Sequence, residues 1–419
     1  MTGLRSVKGM HDILPEEMPK WHFLESLFKE ITSRYGFEEI RTPVLESLDL
    51  FVRGIGEATD IVEKEMYSFV DKGKARLALR PEGTASTIRA YLQHNLASKS
   101  AISRLCYMGP MFRRERPAKG RYRQFYQAGA ELIGSSEPAA DAEMIAMAVQ
   151  FVQTLGIKNL NVQLNSLGDS DTRPGYRKAL VNFFSNKEDI LCDDCKRRLI
   201  TNPLRVLDCK VKGCIAARED APSILQFINE EAKEHFDELQ RLLSIYDIKF
   251  TVVPTMVRGL DYYTRTIFEI QGDSDILGAQ ATIVGGGRYD GLVKEFGGRS
   301  TPTIGFAFGI ERLLLMLGDR AKTVAVKKIF VAGVGSGDLD RTVRISSMLR
   351  KNGFIVEAPY KMGSLRAQLK RAAKSGAAFA IIAGEDEAKN SSVTLKNMAT
   401  GEQEIVSVHN LSDKLTEIM

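Results

Sequence analysis

Two runs of strand character, residues 104–113 and 123–134, are joined by a short stretch whose Pro117 and Gly120 make it a loop. The pair reads as a long hairpin, so antiparallel sheet must be prominent in the fold. Around it the pattern is a strand at 76–80, a helix at 84–95, a helix at 139–155 and a strand at 160–164. Upstream, residues 16–35 carry Trp21, Leu24, Leu27, Phe28 and Ile31 at helical spacing and stop at Gly36. The strand-like stretch 37–45 contains Pro43, which suits an edge strand able to lie against another subunit.

From 168 to about 249 the chain is charged, helical and cysteine-bearing, and reads as an insertion. Strand character and glycines return in VRGLDYYTRTIFEI, ATIVGGGRYDGL and TPTIGFAFGIERLLLML. After a short linker near 319–327, strands alternate with helices at 339–352 and 364–375, the rhythm of a separate small α/β domain. A chain of 419 residues is too long for one core. The expected division is 1–325, containing the insertion 169–249, and 326–419. No repeat or low-complexity tract is visible. No basic start precedes an apolar stretch, and no apolar run nears the roughly 18 residues of a membrane span. A soluble, cytoplasmic protein is expected.

A net charge of +5 is too small to imply a polyanionic partner by itself, so its distribution matters. The hairpin concentrates Arg113, Arg114, Arg116, Lys119, Arg121 and Arg123 against Glu115, beside Tyr122, Phe125 and Tyr126. This mixture suits phosphates and stacked bases, or is a solvated basic loop. On the returning strand, alternation puts Phe125, Gln127, Gly129, Glu131 and Ile133 on one face. Gln127 and Glu131 there need partners, and Gly129 leaves room for a ligand; a structural polar network is the alternative.

In LRPEGTAST a strand stops at Pro81, and Glu82, Gly83 and Thr84 turn into a helix with Thr84 as the expected N-cap. Glu82 then favours the helix dipole or binds an ammonium group. In MVRGLDYYTRT, Arg258 beside Gly259 suits close approach to a phosphate or carboxylate. Tyr262 and Tyr263, read as adjacent strand residues, should face opposite ways. GFAFGIER leaves Gly305, Ala307 and Gly309 as a bare face, with Arg312 in the first helical turn, where the dipole disfavours a cation. GGGRYDG at 285–291 adds backbone room. There is no P-loop, and GVGSG at 333–337 lacks the dinucleotide fingerprint. The five histidines show no metal or triad spacing.

Four of the five cysteines cluster: Cys192 and Cys195 as C-x2-C, Cys209 and Cys214 as C-x4-C. The spacing is credible for tetrahedral zinc in an insertion with few large apolar residues, but reduced structural or surface thiols are the favoured reading. In the last hundred or so residues, Lys361, Arg366, Lys370, Arg371 and Lys374 occur with no acidic residue between 358 and 384. Arg366, Lys370 and Lys374 share a helix face opposite Leu365 and Leu369.

Together KGMHDILP, RTPVLE, LRPEGT, GPMFRRERPAKGRYRQF, RGLDYYTRT, GGGRYDGL and GFAFGIERL resemble the class II aminoacyl-tRNA synthetases, specifically the bacterial histidyl family, over essentially the whole chain. The resemblance implies an α+β fold: an antiparallel catalytic sheet flanked by helices, a helical insertion and a C-terminal anticodon-binding α/β domain. It implies L-histidine, ATP with Mg²⁺ and tRNA(His) as substrates, and a homodimer formed around Pro43. It gives no support for zinc. By similarity Arg113 contacts the α-phosphate and Arg312 holds ATP. Glu82, Gly83, Thr84 and Gln127 form the histidine ammonium end, and Glu131 and Tyr263 read the imidazole with Tyr262 beside them. Arg258 bridges the carboxylate and α-phosphate. The competing readings are the non-catalytic relative that regulates ATP phosphoribosyltransferase, which lacks the anticodon domain, and an RNA-binding module without chemistry.

Overall fold

A computed structural model describes residues 3–56, 59–272, 282–318, 327–335 and 338–419. The chain divides into two compact units, Met1–Thr323 and Val324–Met419. The expected linker lies, apart from Lys327, outside the described residues, as do Ser336 and Gly337 of the GVGSG loop.

The first unit is built on an eight-stranded sheet. In chain order its small and large strands are β1 (Glu38–Glu39), β2 (Leu45–Ser47), β3 (Ser68–Val70), β4 (Arg76–Leu79), β5 (Ser103–Phe112), β6 (Gln124–Ile133), β7 (Asn161–Ser166), β8 (Phe250–Val252), β9 (Thr264–Gln271), β10 (Thr282–Arg288) and β11 (Thr303–Gly309). The large sheet runs β1-β5-β6-β11-β10-β9-β7-β8. It is antiparallel throughout its centre, and only the edge pairs β1/β5 and β7/β8 are parallel. The stretch expected as one strand at 37–45 is divided. β1 joins the large sheet, β2 pairs with β4 in a separate β2-β4-β3 sheet, and Pro43 lies in the break. Proline supplies no ladder N–H, which is reason enough for a break there.

Strand alternation sorts the two faces. Ala128, Ala130 and Leu132 of β6, with Ile304, Phe306 and Phe308 of β11, face a core shared with helices α1 (Met18–Arg34) and α4 (Pro138–Thr154). There Phe28, Phe151 and Phe308 form a ring cluster with centroids 4.8 to 5.5 Å apart. Each buried ring contributes roughly 1.5–3 kcal/mol. The alternate residues, including Gln127, Glu131, Gly305 and Ala307, face the other way.

The segment from 168 to 249 is helical as expected, but not poor in core. Tyr176, Leu180, Phe184, Leu191, Leu199 and Val206 are buried in one cluster with Ile133, Tyr263 and Tyr289 of the main body. Its last helix, Glu230–Ile245, packs Phe236, Leu239 and Leu243 into the α1/α4 core. These large apolar residues are spread thinly in sequence, and only folding gathers them.

The second unit has a five-stranded sheet, with Ile355–Glu357, Lys328–Gly333 and Ala377–Ala383 parallel and Ser392–Asn397 and Gln403–Ser407 antiparallel. The antiparallel tail is absent from the sequence reading. Helix Leu365–Lys374 buries Gln368 and Ala372 with Leu365 and Leu369 half-buried, which leaves Arg366, Lys370, Arg371 and Lys374 exposed.

Candidate active site

Proline ends the approach of β4, and the chain then turns into helix α3 (Thr84–Gln93), having passed α2 (Leu48–Ile55) earlier. The free amides at the start of α3 are satisfied by the Glu82 carboxylate. Thr84 N donates to it at 2.6 Å and Ala85 N at 2.9 Å. Thr84 is therefore not the N-cap, since its own amide is one of the donors and Gly83 holds the cap position. The freed Thr84 hydroxyl donates to Glu131 Oε1 at 2.7 Å.

Glu131 is buried at 1% exposure and collects two further hydroxyls, Tyr107 at 3.1 Å on Oε1 and Tyr289 on Oε2. Burial pushes its carboxyl well above the usual range, Thr84 and Tyr107 oppose this, and the nearby Glu82 charge reinforces it. Burial likewise raises Glu82, against the pull of the Ala85 and Thr84 amides. Gly305 sits directly opposite Glu131 across β6/β11, and a Cβ there would strike the Glu131 carboxylate and the Tyr289 hydroxyl. The small residue is required by the carboxylate.

Arg258 lies across Gly285, where a Cβ would collide with its guanidinium, and reaches Glu269 on β9. Thr282 donates to the same carboxylate. Burial works against the Arg258 charge, but Glu269 and Tyr263 outweigh it and raise its hold on the proton. Its backbone is pinned as well: Arg205 donates to Arg258 O at 3.0 Å, and Asn202 donates to both Asp261 oxygens at 3.0 Å.

These elements enclose a cavity of about 180 Å³. Glu82, Thr84, Arg113, Gln127, Arg258, Tyr262 and Tyr263 line it, with the bare backbone of Gly285, Gly305 and Ala307 and with Tyr289. The expectation that the two adjacent tyrosines face apart fails, because β9 starts only at Thr264 and the alternation rule does not reach them. Their rings are 4.9 Å apart, and Tyr262 is 5.2 Å from Tyr289.

Three expected residues stand off the wall. Gly83 is packed against the Tyr107 ring. Glu131 lies behind Thr84 and Tyr289. Arg312 occupies the first turn of helix Ile310–Leu317 near Gly120 of the hairpin loop, where burial and Arg121 weaken its hold on the proton. Arg113 donates Nε to Pro81 O at 2.9 Å, with its guanidinium 5.3 Å from the Phe125 ring centre.

Tyr289, Tyr107 and Glu269 escaped the sequence reading, although Tyr289 lies within the GGGRYDG run. A buried carboxylate and a buried arginine each demand a partner, so the demand was legible and the partner was not. Tyr289 is held by its neighbour: Arg288, fully buried, pairs with Asp141 at 2.6 Å, and Asp141 also meets His235 at 2.8 Å. The cysteines stand apart from this cavity, with all four sulfurs of Cys192, Cys195, Cys209 and Cys214 within 4.8 Å of one another.

The cavity is smaller than the roughly 300–1,000 Å³ of sites for drug-sized ligands. One side offers acceptors, Glu82 and the buried Gln127 Oε1, which meets no hydrogen-bond partner among the described residues. The other offers Arg113 and Arg258, whose buried Nε is also unmatched. Such a site suits a small zwitterion carrying a polar ring, with its acid end turned toward a second anion.

A family model described as histidyl-tRNA synthetase matches residues 9–313, and one described as anticodon binding domain matches 328–418. The chain is 47% identical over 405 residues to a histidine–tRNA ligase of Trichlorobacter lovleyi, covering 96% of each. It is 48% identical over 409 residues to that of Aquifex aeolicus, covering 97% of this chain and all of the relative. Among solved structures, apo S. aureus histidyl-tRNA synthetase superposes with a TM-score of 0.81 at 37% identity, covering 98% of this chain and 99% of the other.

Proposed function

The chain belongs to the histidyl-tRNA synthetase family, and we propose that the cavity between Glu82 and Arg258 is where it binds histidine. The enzyme is a histidine–tRNA ligase. It joins L-histidine to ATP as histidyl-adenylate with release of pyrophosphate, then transfers histidine to the 3′ end of tRNA(His).

The observation that carries the site assignment is the pairing of unmet groups: a buried acceptor on Gln127 faces the same small space as a buried donor on Arg258. In our reading Glu82, Thr84 and Gln127 take the ammonium group. The imidazole lies among Tyr262, Tyr263 and Tyr289, with Glu131 setting the acceptor end through its hydroxyl partners. The histidine carboxylate oxygen attacks the α-phosphorus, the bond to the β-phosphate oxygen breaks, and pyrophosphate leaves. Two anions meet in this step, so cations and alignment matter more than a base. Arg258 bridges them and Arg113 takes the α-phosphate. Arg312 holds the remainder of ATP, which enters as its magnesium complex.

Replacing Glu131 by Gln tests the imidazole end. Histidine-dependent ATP–pyrophosphate exchange should fall on the order of 100-fold in kcat/KM, because an amide cannot accept on both arms and so breaks the buried set of hydroxyls that Thr84, Tyr107 and Tyr289 turn onto this side chain. Stability should move the other way. A carboxyl held above its unfolded value loses native stability as pH rises through the folded value, and the amide removes that loss. Unchanged exchange would remove Glu131 from the site.

The domain roles follow the same reading, with residues 1–325 catalytic and 326–419 binding the anticodon. The exposed basic face of helix Leu365–Lys374 borders a groove of about 1020 Å³ into which Tyr360, 98% exposed, can stack on a base. We also infer a cytoplasmic homodimer using the edge near Pro43, where Leu45, Phe69 and Val70 are exposed on the small sheet. Among the described residues no helix is long and apolar enough to cross a membrane. Sedimentation as a dimer, rather than as a 46.6 kDa monomer, is the expected result.

A further inference from the structure

The four clustered cysteines take no part in the chemistry above, yet they meet at one point. Cys192 caps the helix Asp193–Thr201 and Cys195 lies in its first turn, while Cys214 lies in the helix Lys212–Ala217 and Cys209 precedes it. None is in a disulfide, and all four sulfurs lie within 4.8 Å of one another. The Cys192 and Cys209 sulfurs are 3.8 Å apart. Four thiolates around one zinc, each at about 2.3 Å, form a tetrahedron with edges of about 3.8 Å. Cys192 N also donates to Cys214 Sγ at 3.2 Å, an amide contact that helps a sulfur carry negative charge.

We propose that Cys192, Cys195, Cys209 and Cys214 bind a structural zinc ion. Cys195, Cys209 and Cys214 are buried and Cys192 is partly so, which leaves a closed all-sulfur site without an open position for substrate. Sulfurs all within 4.8 Å of one another suit a single ion, whereas an iron–sulfur cluster would hold them further apart around its own bulk.

The ion ties together both ends of the segment that supports the active site. Between the cysteine pairs lie Arg198, Asn202 and Arg205. Arg198 donates to Asp60 at 2.6 Å, Asn202 holds Asp261, and Arg205 holds the carbonyl of Arg258. The zinc therefore positions Arg258 through this segment without touching substrate. That second step rests on the histidine-site reading above, whereas the metal itself does not.

Metal analysis of the full chain, purified without chelator, should find about one zinc per chain. Replacement by Co²⁺ should give the visible absorption of a tetrahedral ion together with thiolate-to-metal charge transfer. Less than about a tenth of an equivalent of zinc, disulfides between these cysteines, or iron with inorganic sulfide would overturn the site. Cys214→Ser should lose the metal and reduce histidine kcat/KM on the order of 10- to 100-fold through misplacement of Arg258. Zinc lost with kcat/KM unchanged would overturn the positioning role while the wild-type metal content upholds the site. Should the variant fail to fold, wild-type metal content and the cobalt spectrum decide the site, and exchange by wild-type protein before and after mild chelation, with folding followed by circular dichroism, decides the positioning.

Discussion

Arg258→Ala is expected to lower histidine-dependent ATP–pyrophosphate exchange about 10²- to 10³-fold while tRNA(His) affinity stays within about 2-fold. Arg258 sits in the small cavity with one unmatched donor and with Glu269 as its fixed partner. On the proposed binding mode its loss removes the cation between two anions and, among the described residues, leaves Glu269 with the Thr282 hydroxyl. Arg258→Lys should not restore activity, because an ammonium cannot hold Glu269 and present a second donor in the same plane. Lys374→Glu, on the exposed basic helix face of the second unit, should do the converse, weakening tRNA binding while exchange persists. Filter binding and exchange on the same preparations give both readings. Equal loss of both activities in either variant would contradict the division of labour.

The second large effect falls on folding. Arg288→Met should destabilise the first unit by about 3–5 kcal/mol, read from the denaturant midpoint of its transition. Arg288 is wholly buried and donates to Asp141, Asp290, Ser135 O and Glu137 O, and Asp141 is equally buried. Among the described residues, the variant leaves buried Asp141 with His235 as its remaining side-chain partner. The double variant Arg288→Met with Asp141→Leu should recover part of the loss, since removing both partners leaves no orphaned charge. A single-variant loss below about 1 kcal/mol would show that the network is not under this constraint.

Strand alternation made the centre of the fold legible. Alternation sets Gln127 and Glu131 against Ala128, Ala130 and Leu132 on β6, and in the structure the latter three face the core while Gln127 lines the cavity on the other side. Errors arose where a local rule was carried one residue too far. Alternation does not extend to Tyr262 and Tyr263, because the strand begins at the next residue, and Thr84 is not the cap, because Glu82, two residues earlier, satisfies the amides. Long-range partners were beyond reach for another reason. Tyr289 meets Glu131, Glu269 meets Arg258 and Asp141 meets Arg288 only through sheet register and helix docking. Cysteine spacing likewise allows a metal but cannot show that the second pair folds back onto the first.

A crystal structure with L-histidine and an ATP analogue that cannot release pyrophosphate tests the central assignment directly. The histidine ammonium is expected within hydrogen-bond reach of Glu82 and Gln127 Oε1, its carboxylate on Arg258, and its ring against Tyr263 at the Glu131 end. Histidine bound in the reverse sense, with its ring toward Arg258, or bound outside this cavity, would contradict that assignment.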